Sequence, residues 1–267
     1  MYEFNYHKAN NLAEAAGLLA KSSDARVLAG GQTLLASMKL RLVSPSDLVD
    51  LSAIADLRGI KLDGGNLSIG AMTTHADVAA SAEVKKAIPA LARLASGIGD
   101  RMVRNLGTLG GSVANNDPAA DYPAGVLGLG ATINTNKRKL TADEFFKGMY
   151  ETALQPGEII SSISFPVPKR AGYIKFKNPA SRYAIVGVFV SEGAGGVRVA
   201  VTGAAPCVFR VASMEKALAA KFSPDAVASI QVPASGLNTD LHATAEYRAH
   251  LVTVMAKRAV EQAVGGS

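Results

Sequence analysis

Cysteine is almost absent. Cys207 stands alone in 267 residues, so no intramolecular disulfide can form and nothing argues for secretion. One thiolate also falls short of the roughly four ligands that an iron–sulfur cluster or a structural zinc needs. The four histidines, His7, His75, His242 and His250, lack metal-ligand spacing. Tryptophan is missing and aromatics make up 6% of the chain. The formal net charge is +6, yet no like-charge run exceeds Lys137-Arg138-Lys139. Without a clustered basic stripe and stacking rings, nucleic-acid binding is not expected. An anionic ligand or an acidic partner surface accounts for the balance equally well. The longest weakly polar stretch, Tyr122 to Ile133, has 12 residues broken by Pro and Gly, whereas a membrane span needs about 20. Met1 to Lys8 has no basic segment leading into an apolar one, so no secretory leader is expected, and the chain reads as soluble and cytoplasmic.

Catalytic signatures are scarce too. There is no P-loop and no Gly-x-Ser-x-Gly elbow. Gly97-Ile98-Gly99-Asp100-Arg101-Met102 imitates a dinucleotide fingerprint but lacks the third small residue and a preceding strand. Asp117 and Asp121, four apart, could share a helix face; one capping and one solvated carboxylate is the simpler reading. A chain poor in acid–base machinery suits chemistry carried by a cofactor.

Glycine, by contrast, is concentrated in two places. Leu28-Ala29-Gly30-Gly31-Gln32-Thr33-Leu34 follows the apolar run Arg26-Val27-Leu28, and Arg104-Asn105-Leu106-Gly107-Thr108-Leu109-Gly110-Gly111-Ser112 leads into Asp117-Pro118-Ala119-Ala120-Asp121. Both read as a strand, a glycine turn, then a helix or turn. That geometry gathers backbone N–H groups where a phosphate can sit. Either turn alone could be an ordinary surface turn. Two of matching type suggest a diphosphate held from two sides, and so a dinucleotide.

In chain order, the first fifty residues read helix, strand, helix, strand, an α/β unit fitting a small parallel sheet. Leu12, Ala15, Ala16, Leu18 and Leu19 mark the first helix, with Asn10 or Asn11 as cap. A boundary is placed near residue 55. Beyond it, Gly59 to Leu62 and Asn66 to Gly70 alternate around Asp63-Gly64-Gly65, a hairpin signature. Thr73 to Val78 suits a capped helix start, and Pro89 separates two helices within Ala82 to Ala95. A helix from Pro123, a strand over Ala131 to Thr135, a helix or turn from Leu140 and a strand over Glu158 to Phe165 follow. From about Lys169 an antiparallel meander is expected over Tyr173 to Lys177, Ile185 to Val190 and Val197 to Val201. Two helices close the chain, Ser213 to Lys221 and about Thr244 to Val264, the latter with Tyr247, Leu251, Val254 and Met255 on one face.

On the two glycine motifs and their separation, the sequence resembles the FAD-binding medium subunit of molybdenum hydroxylases over essentially its whole length. That group includes aerobic carbon monoxide dehydrogenase and bacterial xanthine and nicotinate dehydrogenases. The resemblance implies an α+β protein: a PCMH-type FAD-binding fold of two α/β subdomains, residues 1–55 and 56–168, then a C-terminal antiparallel sheet with helices, residues 169–267. It implies that Ala29, Gly30, Gly31, Gln32 and Thr33, flanked by Leu28 and Leu34, and Thr108 to Ser112 with Gly110 and Gly111, wrap the FAD diphosphate. Asn105 and Gly107 belong to the second motif. Asp121 matches an acidic position that contacts the adenosine ribose or its neighbourhood, Ile98 one against the cofactor, and Ile160 an apolar backbone contact near the adenine. Lys177 matches a lysine near the isoalloxazine end and Tyr183 an aromatic ring on the flavin face. Two departures stand out: relatives often have Pro near Ala9, and Asn where Ser112 stands.

The implied role is electron transfer. A large subunit would hold a molybdenum cofactor, a small subunit two [2Fe–2S] clusters, and the assembly would be a dimer of heterotrimers. FAD in this chain would pass electrons to NAD, oxygen, a quinone or another acceptor. Two rivals are a self-sufficient FAD oxidoreductase, for which about 100 C-terminal residues leave little substrate domain, and a flavin-free assembly protein, against which the intact glycine turns speak.

Overall fold

The computed structural model describes residues 1–265. Its first sheet comes from β1 (Asn5–Lys8), β2 (Arg26–Leu28) and β3 (Asp47–Asp50), with α1 (Leu12–Leu19) and α2 (Leu34–Lys39) between them. The order is β1-β3-β2 and both pairings are parallel. Asn11 caps α1, its side chain accepting from Glu14 N at 2.9 Å. Leu12, Ala16, Leu18 and Leu19 pack around buried Ala15, with Val49 and Leu51 of the sheet.

The opening strand is a correction to the helix-first reading. Asn5-Tyr6-His7-Lys8 has no apolar alternation, because it is a largely exposed edge strand. Its place is set by its partner: Tyr6 donates its hydroxyl to Asp50, and His7 Nε2 lies 2.7 Å from Asp47.

After a single 3-10 turn at Ala55–Leu57, the chain builds an antiparallel five-stranded sheet and the helices against it. These elements are β4 (Ile60–Asp63), β5 (Asn66–Gly70), α3 (His75–Ala80), α4 (Ala82–Ala87), α5 (Pro89–Ser96), α6 (Arg101–Leu106), α7 (Leu109–Asn115) and α8 (Tyr122–Gly128). Then come β6 (Thr132–Thr135), β7 (Lys139–Thr141), α9 (Ala142–Phe145), the ribbon of β8 (Phe146–Gly148) and β9 (Glu151–Thr152), and β10 (Ile160–Pro166). The sheet order is β4-β5-β10-β6-β7. The hairpin at Gly64-Gly65 and the helix break at Pro89, which opens α5, are where the residues place them. Thr74 caps α3 by accepting from Asp77 N. Two expectations fail here. The second glycine turn is preceded by α6, not by a strand. Of the Asp117 and Asp121 pair, Asp117 does cap a turn, through Ala119 N at 2.9 Å, but Asp121, at the start of α8, is buried and not solvated.

The third sheet is an antiparallel meander, β11 (Arg170–Lys177), β12 (Ala184–Gly193), β13 (Gly196–Thr202) and β14 (Phe209–Arg210). One face of it is covered by α10 (Ala212–Ala220), α11 (Pro224–Val227) and α12 (Ala245–Gly265); Phe189 and Ala200 turn the other way, into the core of the second sheet. The buried stripe of α12 is Arg248, Leu251, Val252, Met255, Ala256, Ala259 and Val260. Tyr247 lies off it, 43% exposed and edge-on to Phe176. The buried Arg248 is tolerated because its guanidinium donates to the carbonyls of Ile185 and Gly203 and pairs with Asp240 at 2.7 Å. Among the described residues, no helix is long and apolar enough to cross a membrane.

Candidate functional site

The two glycine turns touch. β2 delivers the chain to Gly30, and a Cβ there would stand 2.0 Å from Leu106 O and 2.8 Å from Gly107 Cα. Only a residue without a side chain allows that approach. Gly31 follows with φ +70°, and α2 begins at Leu34. No acceptor among the described residues takes the N–H groups of Gly30, Gly31, Gln32 and Thr33.

The second turn is fixed from behind. Thr108 pairs with Thr74 in a short antiparallel bridge, with His75 N donating to Gly107 O at 2.9 Å and Leu109 N to Thr73 O at 3.0 Å. Gly110 N donates to Ala71 O at 2.8 Å. The Thr108 hydroxyl accepts from Gly111 N at 3.2 Å and keeps its own proton to donate.

Both turns face one cleft of about 650 Å³, within the range of small-molecule and cofactor sites. Ala29, Gly30, Gly31, Gln32, Thr33, Leu34, Ile98, Gly107, Thr108, Gly111, Ser112, Asp121 and Tyr183 all line it. Five of the expected site residues do not. Leu28 stays in the strand beneath the first turn, and Gly110 is packed onto Ala71. Asn105 opens on a separate groove beside Ala76, Ala79 and Arg101. Ile160 is buried in the core of the second sheet, and Lys177 is exposed at the end of β11.

The lysine that matters on β11 is Lys175, two residues earlier. It pairs with Asp121 at 2.8 Å and donates to Gly97 O at 2.9 Å, and Tyr173 donates to Asp121 Oδ1 at 2.6 Å. Asp121 therefore touches the cleft with its carboxylate already engaged by Lys175 and Tyr173. Burial pushes its pKa up, and Lys175 and Tyr173 pull the other way. The Ile98 segment is held at successive carbonyls: Gly97 by Lys175, Ile98 and Gly99 by Arg104, and Gly99 again by Arg182. Sequence reasoning missed Lys175, Arg104, Arg182, His75 and Glu158. His75 is 5% exposed. Burial first, then the charge of Arg104, lowers its pKa to about 4, so the ring is neutral at neutral pH.

Glu158 closes another side of the cleft. Arg138 grips both its oxygens at 2.9 and 3.0 Å, and Gln155 N and Thr135 also donate to it. The Arg138 hydrogen bonds lead in lowering its pKa to about 2. A folded-state pKa below the unfolded one adds stability above the unfolded pKa and loses it as pH falls. As unfolding is measured from pH 7 to 2, Glu158 should therefore contribute a loss of roughly 2–3 kcal/mol below about pH 4.5. Glu158→Gln should flatten that fall and lower stability at pH 7. An unchanged pH profile in the variant would refute the assignment.

The site fits FAD on structural grounds: a first turn whose N–H donors have no acceptor, a second turn fixed beside it, hydroxyls at Thr33, Thr108 and Ser112, and a cleft large enough for more than a mononucleotide. Comparison with known proteins agrees. The family described as "FAD binding domain in molybdopterin dehydrogenase" matches residues 2–168, and the chain belongs to it. It is a FAD-binding medium subunit of the molybdenum hydroxylase group, an oxidoreductase subunit. It is 34% identical over 281 residues to the carbon monoxide dehydrogenase medium chain of Hydrogenophaga pseudoflava, covering 97% of this chain and 96% of that one. The reconstituted CO dehydrogenase from Oligotropha carboxidovorans superimposes with TM-score 0.89 at 33% identity, covering 100% of this chain and 99% of its counterpart. Quinoline 2-oxidoreductase from Pseudomonas putida 86 gives TM-score 0.89 at 30% identity, covering 99% and 98%.

Proposed function

We propose that this chain is the electron-transfer station of a heterotrimeric molybdenum hydroxylase. It receives electrons from the [2Fe–2S] clusters of a small subunit, after a large subunit with the molybdenum cofactor has oxidised the substrate, and hands them to an external acceptor. The observation that carries this is the abutting pair of glycine turns, which offers a diphosphate site. Gly30 to Thr33 with Thr108, Gly111 and Ser112 would hold the diphosphate, and Ile98 and Tyr183 the flavin end. When bound, FAD would supply the redox chemistry. The chain's own part is to orient it and set its electrostatic surroundings through Arg104 and Arg182. The clusters belong elsewhere, because a single cysteine cannot ligate them. Segments 1–55, 56–168 and 169–267 are kept as the working division, since no sheet shares strands between them; the last two residues lie outside those described. A cytoplasmic dimer of heterotrimers is the assembly this reading expects.

The test is the visible spectrum of the tagged chain purified gently from its native host. Flavin bands overlaid on iron–sulfur absorbance, with one FAD per chain and two larger-complex partners, are expected. Substrate turnover by the isolated chain would overturn the reading in favour of a self-sufficient flavoenzyme. A folded, colourless chain that takes up no added FAD would overturn it outright.

A further inference from the structure

His75 is the polar ring of the cleft that the glycine turns do not explain. It opens α3, and its ring occupies the space Gly107 leaves by having no side chain: a Cβ on Gly107 would stand 2.6 Å from His75 Nε2. The imidazole is therefore built into the second turn. Its other side packs against Tyr122, with ring centroids 5.2 Å apart.

The two nitrogens differ. Nδ1 is sealed from solvent and has no hydrogen-bond partner. Nε2 has no partner among the described residues either, but it keeps access to the cleft that His75 lines. A buried lone pair left unpaired is tolerated better than a buried unpaired N–H. The neutral ring therefore carries its proton on Nε2, facing the cleft beside the Gly107-Thr108 backbone.

We propose that His75 is a third anchor of the cofactor's diphosphate, its Nε2–H donating to a phosphate oxygen next to Gly107. The inference rests on the FAD reading above. A donor-only nitrogen beside the N–H and hydroxyl donors of one turn is suited to an anionic oxygen, where hydrogen bonds are shorter and stronger than between neutral groups. Because burial and Arg104 keep the ring uncharged, this anchor acts through hydrogen bonding without adding a cation to the cleft.

The experiment uses the full chain stripped of flavin, titrated with FAD by fluorescence quenching and with ADP by competition. His75→Leu should weaken both FAD and ADP binding by roughly 10- to 100-fold, the range for a hydrogen bond to a charged group. His75→Gln, whose amide nitrogen extends to about the reach of Nε2, should keep most of the affinity. His75→Asn, whose amide ends near the Nδ1 position, should lose it as Leu does. If the Leu variant does not fold, the Gln and Asn pair decides. Wild-type affinity in a folded His75→Leu, equal losses in Gln and Asn, or a loss for FAD with none for ADP would each overturn the proposal. Failure of the wild-type chain to bind FAD would instead overturn the cofactor reading beneath it.

Discussion

Gly30→Ala is expected to leave the chain folded but unable to hold FAD. The added methyl would meet Leu106 O at 2.0 Å, Leu106 C at 2.7 Å and Gly107 Cα at 2.8 Å, all of them backbone. Backbone atoms cannot rotate away as a side-chain end can, so the two turns must part. Overpacking of this kind costs about 2–3 kcal/mol. The larger effect is on binding. Donors from two turns must converge on one diphosphate, and losing two charge-assisted hydrogen bonds at about 1.5–3 kcal/mol each exceeds 100-fold. FAD titration and urea unfolding measure the two consequences separately. The same substitution at Gly17 in α1, where no atom lies within 4 Å, is the control. There it should add about 0.5–1 kcal/mol of helix stability and leave FAD binding alone. Gly30→Ala binding FAD as the wild type does would mean that the contact between the turns is not what aims their donors.

The second large effect is expected at Asp121. Asp121→Asn removes the charge that compensates Lys175, whose side chain is 9% exposed. Breaking one side of a buried pair is strongly destabilising, by about 3–5 kcal/mol, because the remaining charge is stranded. For a chain of this size the unfolding temperature should fall on the order of 10 °C. Replacing both partners, as in Asp121→Asn with Lys175→Met, should recover much of the loss, since no charge is then left buried. The pair also separates two assignments for Asp121. A ribose ligand would lose FAD affinity with stability intact. A strut would lose stability first, with the Ile98 segment loosened because Lys175 also holds Gly97 O. A change in stability below about 1 kcal/mol would rule out the strut.

What could be read from the residues divides along a physical line. The glycine turns, the Gly64-Gly65 hairpin, the break at Pro89 and the β12–β13 meander were legible because each is encoded by neighbours in the chain: backbone freedom, a missing donor, a period of two. β1 was not, because Asn5 to Lys8 form a strand for the sake of Asp47 and Asp50, some forty residues away. Nor was α6, which buries no residue and so shows no apolar period. The site follows the same rule. Most residues within the turns were identifiable, because the turns themselves make the cleft. Lys175 and Arg182 were not, because they act on carbonyls some eighty residues away that only the tertiary fold brings near, and Arg104, though close in sequence to Ile98 and Gly99, has a role that depends on how that loop turns back over α6. His75 was noticed only as a histidine without metal spacing; its place beside Gly107 depends on the bridge between Thr74 and Thr108.

The recognisable FAD-binding module ends at residue 168, yet Ser181, Arg182 and Tyr183 form part of the cleft wall, and Lys175 braces its floor from beyond that point. The unit that recombination could copy is thus smaller than the unit that could work. A gene fusion cut at that boundary would transmit both phosphate turns and leave behind the brace that keeps the Ile98 loop in place. Such a fragment would be a flavin site with one wall missing, and the C-terminal sheet would have to travel with it as a permanent companion.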